Sequence, residues 1–332
     1  MNKKETFVRK AYFFKGIFIG TILILLLSAK DTSYQKQNEM LQLSDNYRIT
    51  DIHLPDKLDF AGEAVPVERY DVREFLEREL LINSYWQSSI LQYCKRANRY
   101  FPVIEPILKS NNIPDDFKYL ALAESGFLNV TSPANAAGFW QFLASTAKKH
   151  DLEVRDDVDE RYHLQKATVA ACKYLKNSYQ VHHSWALAAA AYNAGDTYIK
   201  KRCADQSQST FWDLWLNTET ARYVYRILAL KLLLSEPQKY GIYLKKSDLY
   251  YPIVVDLISV DSTIASLYDF AKQQKTTYKQ LKLLNPWLIS DKLENPQKKT
   301  YQIAIPRKEY LNYKKQMENI GKDDYVKTLN ER

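Results

Sequence analysis

The sequence predicts a mainly α-helical protein with a small α+β unit near its C-terminus. Between residues 72 and 234, apolar side chains recur at three- and four-residue spacing, which is typical of helices packed on a common core. After Tyr250 the pattern changes to a βααβ order. Its predicted strands and short helices cover residues 252–258, 263–273, 277–284 and 301–305. At 332 residues, the chain is long enough for two domains with appendages.

Composition excludes several classes of function. The chain has 8 Gly and neither a GxGxxG nor a GxxxxGK[ST] motif, which argues against a nucleotide-binding enzyme. Its net charge of +8 comes from 47 basic and 39 acidic residues that are mixed along the chain, so no basic block indicates a nucleic-acid partner. The pair His182–His183 matches no zinc motif, and we expect no metal and no cofactor. The 25 Tyr, 13 Phe and 6 Trp suit a sugar-binding groove, since aromatic rings stack on pyranose faces.

The N-terminus predicts export. Basic residues precede an apolar run over residues 16–27, which ends in the small residues Ser28 and Ala29. We therefore expect residues 1–29 to be a signal peptide, or an uncleaved membrane anchor if the preceding aromatic residues extend the run. Residues 30–71 are polar and are predicted to form a linker or loosely packed arm. Residues 307–332 are a charged tail without a clear role.

Helical spacing predicts the elements of the middle region in order. Residues 72–100 are expected to form one long helix or two. Further helices are predicted over Pro102–Lys109, from near Pro114, from Phe139 or Trp140 past Lys148, over Gln165–Tyr179 and over Glu219–Leu234.

Two stretches in this region carry additional signals. Ser184 is expected to cap a helix over WALAAAAYNAG, with Gly195 as its stop. Its four consecutive alanines, Ala188–Ala191, allow close approach of neighbours, so this helix should be central and buried. Four acidic residues lie close together in the loop before Gln165. They could form a calcium-binding loop, but the EF-hand spacing and its glycine are absent, so we interpret them as a solvated helix entry. They are Asp156, Asp157, Asp159 and Glu160.

A carboxylate interrupts the apolar face of the helix predicted near Pro114. Pro114 suits the first helical position, with Asn111 or Asn112 able to cap it. The apolar residues of this face are Ile113, Phe117, Leu120 and Ala121, and Glu124 follows at the next helical step. Burial would disfavour the charged form of Glu124 and raise its pKa, as a general acid near neutral pH requires. In the alternative, the helix ends one turn earlier and Glu124 is solvated.

Four ordered motifs resemble those of the soluble-lytic-transglycosylase family, which has a lysozyme-like catalytic domain. Within the family, they are most similar to the membrane-bound lytic murein transglycosylase D group. The resemblance covers roughly residues 72–240 and, more weakly, 250–306. Leu143 and Ala144 depart from the usual methionine and proline. The motifs are Glu124-Ser125 followed by Ser132-Pro133, then Gly138–Phe142 (GFWQF), Ala191–Gly195 (AYNAG), and Glu219-Thr220 with Tyr223-Val224.

The resemblance implies a peptidoglycan lytic transglycosylase with a single catalytic carboxylate. A glycosidase normally needs two carboxylates. In this family, the N-acetyl group of N-acetylmuramic acid (MurNAc) stabilises the cationic centre, and its C6 hydroxyl then attacks that centre to give a 1,6-anhydro ring without water. Glu124 would act as acid and then as base on the bond between MurNAc and N-acetylglucosamine (GlcNAc). The motifs also imply glycan-binding or cleft-lining roles for Ser132, Gln141, Tyr192, Asn193 and Tyr223.

The resemblance also implies a domain organisation. Residues 72–245 would form the lysozyme-like domain with an N-terminal helical extension. Residues 250–306, with Asp261–Ile264 (DSTI) and Leu284–Pro286 (LNP), resemble a LysM glycan-binding module. This match is divergent, because Val260 stands where glycine is usual. The implied location is the bacterial periplasm, with peptidoglycan strands as partner, a monomeric state and inner-membrane attachment if the N-terminus is retained.

Two other functions stay open at this point. A hydrolytic lysozyme of the same fold would need a second carboxylate to hold a water molecule, and Asp156, Asp157 and Asp159 are the candidates. A non-catalytic peptidoglycan-binding protein would use the fold and the C-terminal module alone, although such a protein has no need for a buried acid at Glu124.

Overall fold

The computed structural model describes residues 51–317, and within this range the protein is mainly helical, so the predicted fold class is confirmed. The helices are α1 (Tyr70–Tyr85), α2 (Gln87–Ser110), α3 (Phe117–Ser125), α4 (Ala144–Lys149), α5 (Leu164–His182), α6 (Trp185–Ala194), α7 (Asp196–Gln206), α8 (Thr218–Ser235), α9 (Leu267–Gln273), α10 (Tyr278–Leu284) and α11 (Tyr313–Met317). The strands are β1 (Leu58–Phe60), β2 (Glu63–Val65), β3 (Val255–Val260) and β4 (Tyr301–Pro306).

Helix α6 lies at the centre of the helical region, as predicted. Its residues 186–191 are all buried, and the helix packs against α5, α7 and α8. The Ser184 hydroxyl accepts a hydrogen bond from the Leu187 amide, and Gly195 ends the helix with a φ of +88°. The alanines allow three neighbouring helices to approach α6 closely, because their side chains occupy little volume.

The prediction that residues 30–71 form a linker or loosely packed arm is wrong for residues 51–71, which are the part of this segment that the structure describes. Strands β1 and β2 form an antiparallel hairpin, with Leu58 opposite Val65 and Phe60 opposite Glu63. Phe60 and Val65 are buried, and the Phe60 ring meets Phe117 edge to face at 5.6 Å. The segment is therefore packed against the domain, because its sparse apolar residues find partners in α3.

The hairpin also caps α6. The Glu63 carboxylate accepts hydrogen bonds from the amides of Trp185 and Ala186 and from the Ser184 hydroxyl, the last at 2.9 Å. These are among the first amides of the helix, which lack partners within the helix and favour a negative charge. An acidic side chain more than 120 positions away in sequence thus completes the start of the central helix.

Helix α2 is longer than predicted. A separate helix was expected over Pro102–Lys109, but one helix runs from Gln87 to Ser110 with Pro102 and Pro106 inside it. A proline within a helix removes a hydrogen bond and costs about 3 kcal/mol. A continuous stripe of buried side chains offsets this cost by packing on the core, and it includes Ala97, Phe101, Ile104 and Leu108.

Residues 130–142 form a loop where the sequence favoured a helix start. Helix α4 begins at Ala144, so the predicted start at Phe139 or Trp140 is wrong. Gln141 has a φ of +48°, and the Ala137 amide donates to the Phe142 carbonyl at 3.0 Å across a tight turn. The left-handed conformation of Gln141 excludes a helix through this position.

The C-terminal module has the predicted βααβ order. Strands β3 and β4 pair antiparallel from Val255 opposite Pro306 to Val260 opposite Tyr301, with α9 and α10 between them in sequence. Its small hydrophobic core is separate from that of the helical region. Val158, from the loop before α5, is fully buried in this second core. The module is therefore packed on the helical region through that loop.

The acidic loop before α5 is not a solvated helix entry. Asp157, Asp159 and Glu160 are buried, and only Asp156 of the four is exposed. The prediction is wrong because the loop lies against the C-terminal module, which a local sequence window does not reveal.

No helix within residues 51–317 is long and apolar enough to cross a membrane. The predicted signal peptide or anchor over residues 1–29, the first part of the predicted linker and the tail beyond residue 317 lie outside the described residues.

The cap on α6 generates a stability prediction. Replacing Glu63 with Ala leaves the first amides of α6 without their carboxylate, which we expect to lower the free energy of unfolding by about 1–2 kcal/mol in urea titrations. Glu77→Ala is the matched control, because Glu77 makes an exposed pair with Arg73 at 3.2 Å. Such a pair contributes roughly 0.5 kcal/mol or less. Equal effects of the two substitutions would contradict the capping role.

Candidate active site

Glu124 lies in the last turn of α3. The helix begins at Phe117 after a short turn, three residues later than the predicted start at Pro114. Asn111 does not cap it, because its side-chain amide donates to the Ile107 carbonyl at the end of α2. The helix ends at Ser125, one residue after Glu124. The side chain of Glu124 is nevertheless partly buried, so the solvated alternative is wrong although the helix end is close.

The Tyr223 hydroxyl donates a hydrogen bond to Oε1 of Glu124. Tyr223 is buried on α8, which packs directly against α3. The pKa of Glu124 is raised to about 7, chiefly because burial disfavours its charged form. The hydrogen bond from Tyr223 and the positive charge of Arg226 lower this pKa, whereas the negative charge of Glu219 raises it. The site therefore holds a carboxyl group that can exchange a proton near neutral pH.

An ion cluster around the buried carboxylate of Glu79 lies beside this pair. Glu79 of α1 is 1% exposed, and its carboxylate binds Nε of Arg222 at 2.5 Å and Nε of Arg226 at 3.8 Å. Arg226 also pairs with Glu219 at 3.2 Å. The cluster fixes the guanidinium group of Arg226, whose charge acts on Glu124.

The sequence analysis missed Glu79, although a signal was present. Glu79 interrupts the apolar stripe of α1 between buried Leu76 and Leu80. Glu124 was found by the same kind of interruption in α3, so the signal could have identified both carboxylates.

Tyr192 and Asn193 lie at the C-terminal end of α6. The Tyr192 hydroxyl donates to the Trp140 carbonyl at 2.7 Å rather than to Glu124. Burial raises the pKa of Tyr192 well above its usual value, and the negative charge of Glu124 adds to this rise. Asn193 Oδ1 accepts a hydrogen bond from the Thr220 hydroxyl at 2.9 Å, and this bond links α6 to the start of α8.

Ser132 and Gln141 belong to the loop over residues 130–142. The Ser132 hydroxyl accepts a hydrogen bond from the Ala136 amide at 3.1 Å. The side-chain amide of Gln141 donates to the carbonyls of Val130 at 3.0 Å and Gly138 at 2.8 Å. Both side chains hold the loop in shape, and their predicted contacts with glycan stay a prediction.

Ser125 joins this loop to the acid-bearing helix. Its hydroxyl donates to the Phe139 carbonyl at 2.9 Å, and it accepts a hydrogen bond from the Phe127 amide at 3.1 Å. Ser125 is buried. Sequence reasoning gave it no role, yet it links Glu124 to the loop that carries Ser132 and Gln141.

Two of the three candidate second carboxylates, Asp157 and Asp159, have other partners, whereas Asp156 is exposed. Asp157 Oδ2 accepts from the Glu294 amide at 2.8 Å, and Asp159 pairs with Arg161 at 2.7 Å. Both are buried against the C-terminal module and are poor supports for an attacking water. The negative charge of Glu219, by contrast, acts on Glu124 and raises its pKa, so Glu219 is a further carboxylate to test for a hydrolytic mechanism. Residues 51–317 contain no group of three or more His, Cys, Asp or Glu side chains arranged to hold a metal ion.

The raised pKa of Glu124 generates a stability prediction. Glu124 keeps its proton up to about pH 7 in the folded protein but only to about 4.5 when unfolded. Its contribution to stability is therefore full below pH 4.5 and is lost as pH rises through 7. Glu124→Gln is neutral at every pH, so we expect it to match the wild type at pH 4 and to be more stable at pH 8, by up to about 3 kcal/mol. Urea titrations at both pH values measure this, and a gain that is independent of pH would contradict the assignment.

Two stretches of the chain match families of known proteins. Residues 101–214 match the transglycosylase SLT domain family, and residues 256–309 match the soluble lytic transglycosylase C-terminal LysM-like domain family. The chain is 33% identical over 183 residues to the membrane-bound lytic murein transglycosylase D proteins of Escherichia coli strain K12 and of Escherichia coli O6:H1. The alignment covers 53% of this chain, and the chain covers 40% of the length of these relatives. The protein therefore contains a transglycosylase SLT domain followed by a soluble-lytic-transglycosylase C-terminal LysM-like domain.

Proposed function

We propose that this protein is a lytic transglycosylase that cleaves the MurNAc–GlcNAc β-1,4 bond of peptidoglycan, with Glu124 as the single acid and base. The observation that carries this proposal is the partly buried Glu124, with a pKa of about 7, hydrogen-bonded to Tyr223. It lies in a domain that matches the SLT family. The activity named for the relatives supports the same substrate.

The proposed reaction needs no water. Protonated Glu124 gives its proton to the glycosidic oxygen as the bond from C1 of MurNAc to that oxygen breaks. The sugar's N-acetyl carbonyl stabilises the cationic C1. The C6 hydroxyl then attacks C1 and gives its proton to the Glu124 carboxylate, which regenerates the acid and leaves a 1,6-anhydro ring. A pKa near 7 suits both transfers, because the group must donate and then accept a proton at the same pH.

The other predicted site residues would serve binding. Tyr223 would hold the Glu124 carboxyl in place, and Tyr192 and Asn193 would line the cleft beside it. Ser132 and Gln141 would present polar groups from the loop over residues 130–142 to the glycan. The protein would work on peptidoglycan strands as a monomer in the periplasm, exported by its N-terminal segment or tethered to the inner membrane by it.

A hydrolytic lysozyme is the second candidate, and one observation bears on it. Glu219 is mostly exposed and paired with Arg226 at 3.2 Å, yet its charge still acts on Glu124. If Glu219 held a water molecule, the products would carry reducing ends. A non-catalytic binder would not account for the raised pKa of Glu124.

The products distinguish these functions. Purified peptidoglycan is incubated with the chain lacking residues 1–29, and the fragments are analysed by mass spectrometry. We expect fragments that end in 1,6-anhydro-MurNAc, lighter by one water than reducing ends, and none from Glu124→Gln, which should still bind the glycan. Reducing ends that disappear in Glu219→Gln would instead indicate a hydrolase. Binding without fragments would support the binder, and cleavage by Glu124→Gln would refute the assignment of the acid.

The pH dependence tests the role of Tyr223. Because the first step needs protonated Glu124, kcat/KM should fall as pH rises through about 7. The hydrogen bond from Tyr223 lowers the pKa of Glu124, so Tyr223→Phe should move this fall to higher pH. Tyr225→Phe is a matched control on the same helix, where the Tyr225 ring stacks on Phe75 at 5.4 Å. An unshifted profile in Tyr223→Phe would contradict the tuning role.

A further inference from the structure

Arg161 lies outside the catalytic cluster but clamps the loop over residues 130–142. It belongs to the short 3-10 turn Glu160–Tyr162 before α5, and its side chain is 11% exposed. One guanidinium nitrogen, Nη1, donates to the carbonyls of Asn135 at 2.9 Å and Phe142 at 3.1 Å. These carbonyls lie on either side of the turn at Gly138. A single side chain thus joins the two halves of the loop that carries Ser132 and Gln141.

The backbones of the two segments also touch. A Cβ atom at Gly138 would lie 1.9 Å from the carbonyl oxygen of Arg161, and Gly138 has a φ of +78°. Only glycine fits both conditions. The hydroxyls of Thr131 and Tyr162 are hydrogen-bonded at 2.6 Å. The loop is therefore held against residues 161–162 at several points along its length.

Asp159 fixes the orientation of Arg161. Its carboxylate accepts hydrogen bonds from Nη2 of Arg161 at 2.7 Å and from Nε at 2.9 Å. It also accepts a hydrogen bond from the backbone amide of Arg161 at 3.1 Å. Asp159 is 4% exposed. A paired guanidinium and carboxylate of this geometry is rigid and directional, so the position of Asp159 determines where Arg161 can donate.

The C-terminal module in turn holds the segment that carries Asp159. The Asp159 amide donates to the Trp287 carbonyl at 2.8 Å, and the Ile289 amide donates to the Asp157 carbonyl at 3.0 Å. Val158, between these two aspartates, is buried in the core of the module. The Tyr301 hydroxyl adds hydrogen bonds to Glu153 at 3.0 Å. Backbone, core and side-chain contacts thus all join the module to the residues around Asp159.

We propose that Arg161 is a positioning residue for glycan binding, and that the C-terminal module keeps Arg161 in place without itself touching the glycan in the cleft. The inference rests on the proposed function for its link to glycan. It gives the module a role in shaping the binding loop that is independent of any glycan binding by the module. The connection runs from Trp287 through Asp159 and Arg161 to the carbonyls of Asn135 and Phe142.

The first test measures the loop directly and does not depend on activity. In the full chain, Arg161→Lys keeps the positive charge but removes the planar guanidinium group. Only that group can donate to Asp159 and to the carbonyls of Asn135 and Phe142 at the same time. We expect amide hydrogen exchange within residues 130–142 to become at least about 10-fold faster, with exchange in α8 unchanged. Arg307→Lys is the matched control, because Arg307 pairs with Asp256 at 2.8 Å on the surface of the module.

The second test addresses the module. Val158→Ala shortens the side chain that enters the module's core and leaves Arg161 and Asp159 intact. We expect it to accelerate exchange in the same residues 130–142 by a smaller factor than Arg161→Lys. Acceleration confined to the module would overturn the role of the module, and unchanged exchange in residues 130–142 of Arg161→Lys would overturn the clamp.

Kinetics separate positioning from general damage. With soluble glycan strands, Arg161→Lys should raise KM about 10-fold while kcat stays within about 2-fold and the pH profile does not move, because Glu124 is untouched. A fall in kcat with unchanged KM would contradict the proposal. An inactive wild type would refute the proposed function, whereas the exchange experiment would still decide whether Arg161 and the module hold the loop.

Discussion

The hydrogen bond between Tyr223 and Glu124 is the interaction on which the rest of the site depends. A carboxyl group that is withdrawn into the protein needs a hydrogen-bond partner, and the Tyr223 hydroxyl is a neutral partner for Glu124. This pairing requires α3 and α8 to lie side by side. Thr220 bonded to Asn193 fixes the start of α8 relative to α6, and Arg222 bonded to Glu79 fixes α8 relative to α1. The polar contacts between helices therefore converge on the placement of one hydroxyl.

Local signals predicted the parts of the structure that are determined locally. Ser184 marks the start of α6 and Gly195 marks its end, as expected. The βααβ order of the module follows from its own periodicity. Two of the wrong predictions, the linker and the solvated acidic loop, share a physical cause, which is a partner distant in sequence. Phe60 is buried by Phe117, and Asp159 is covered by a loop more than 120 residues later. A window of neighbouring residues contains no information about such contacts.

Two carboxylates interrupt apolar helix stripes in this chain, and their partners explain why they differ in chemistry. Glu79 is buried and faces the guanidinium groups of Arg222 and Arg226. Glu124 has a neutral phenol as its direct partner, so burial dominates and its pKa rises to about 7. Periodicity can find both residues in a sequence. It cannot assign their roles, because the partners come from another helix.

The C-terminal module packs on the helical region, and this packing bears on why Val260 can stand where LysM modules usually have glycine. A module that only carries an enzyme to its polymer would be joined by a linker, whereas this one contributes a core that encloses Val158. The contact with the helical region is made by Trp287, Glu294 and Tyr301, among others. None of these three residues lies at the end of β3, where Val260 stands in place of the glycine usual in LysM modules. If the module holds the loop over residues 130–142 through these contacts, as we propose, that role requires no glycine at position 260.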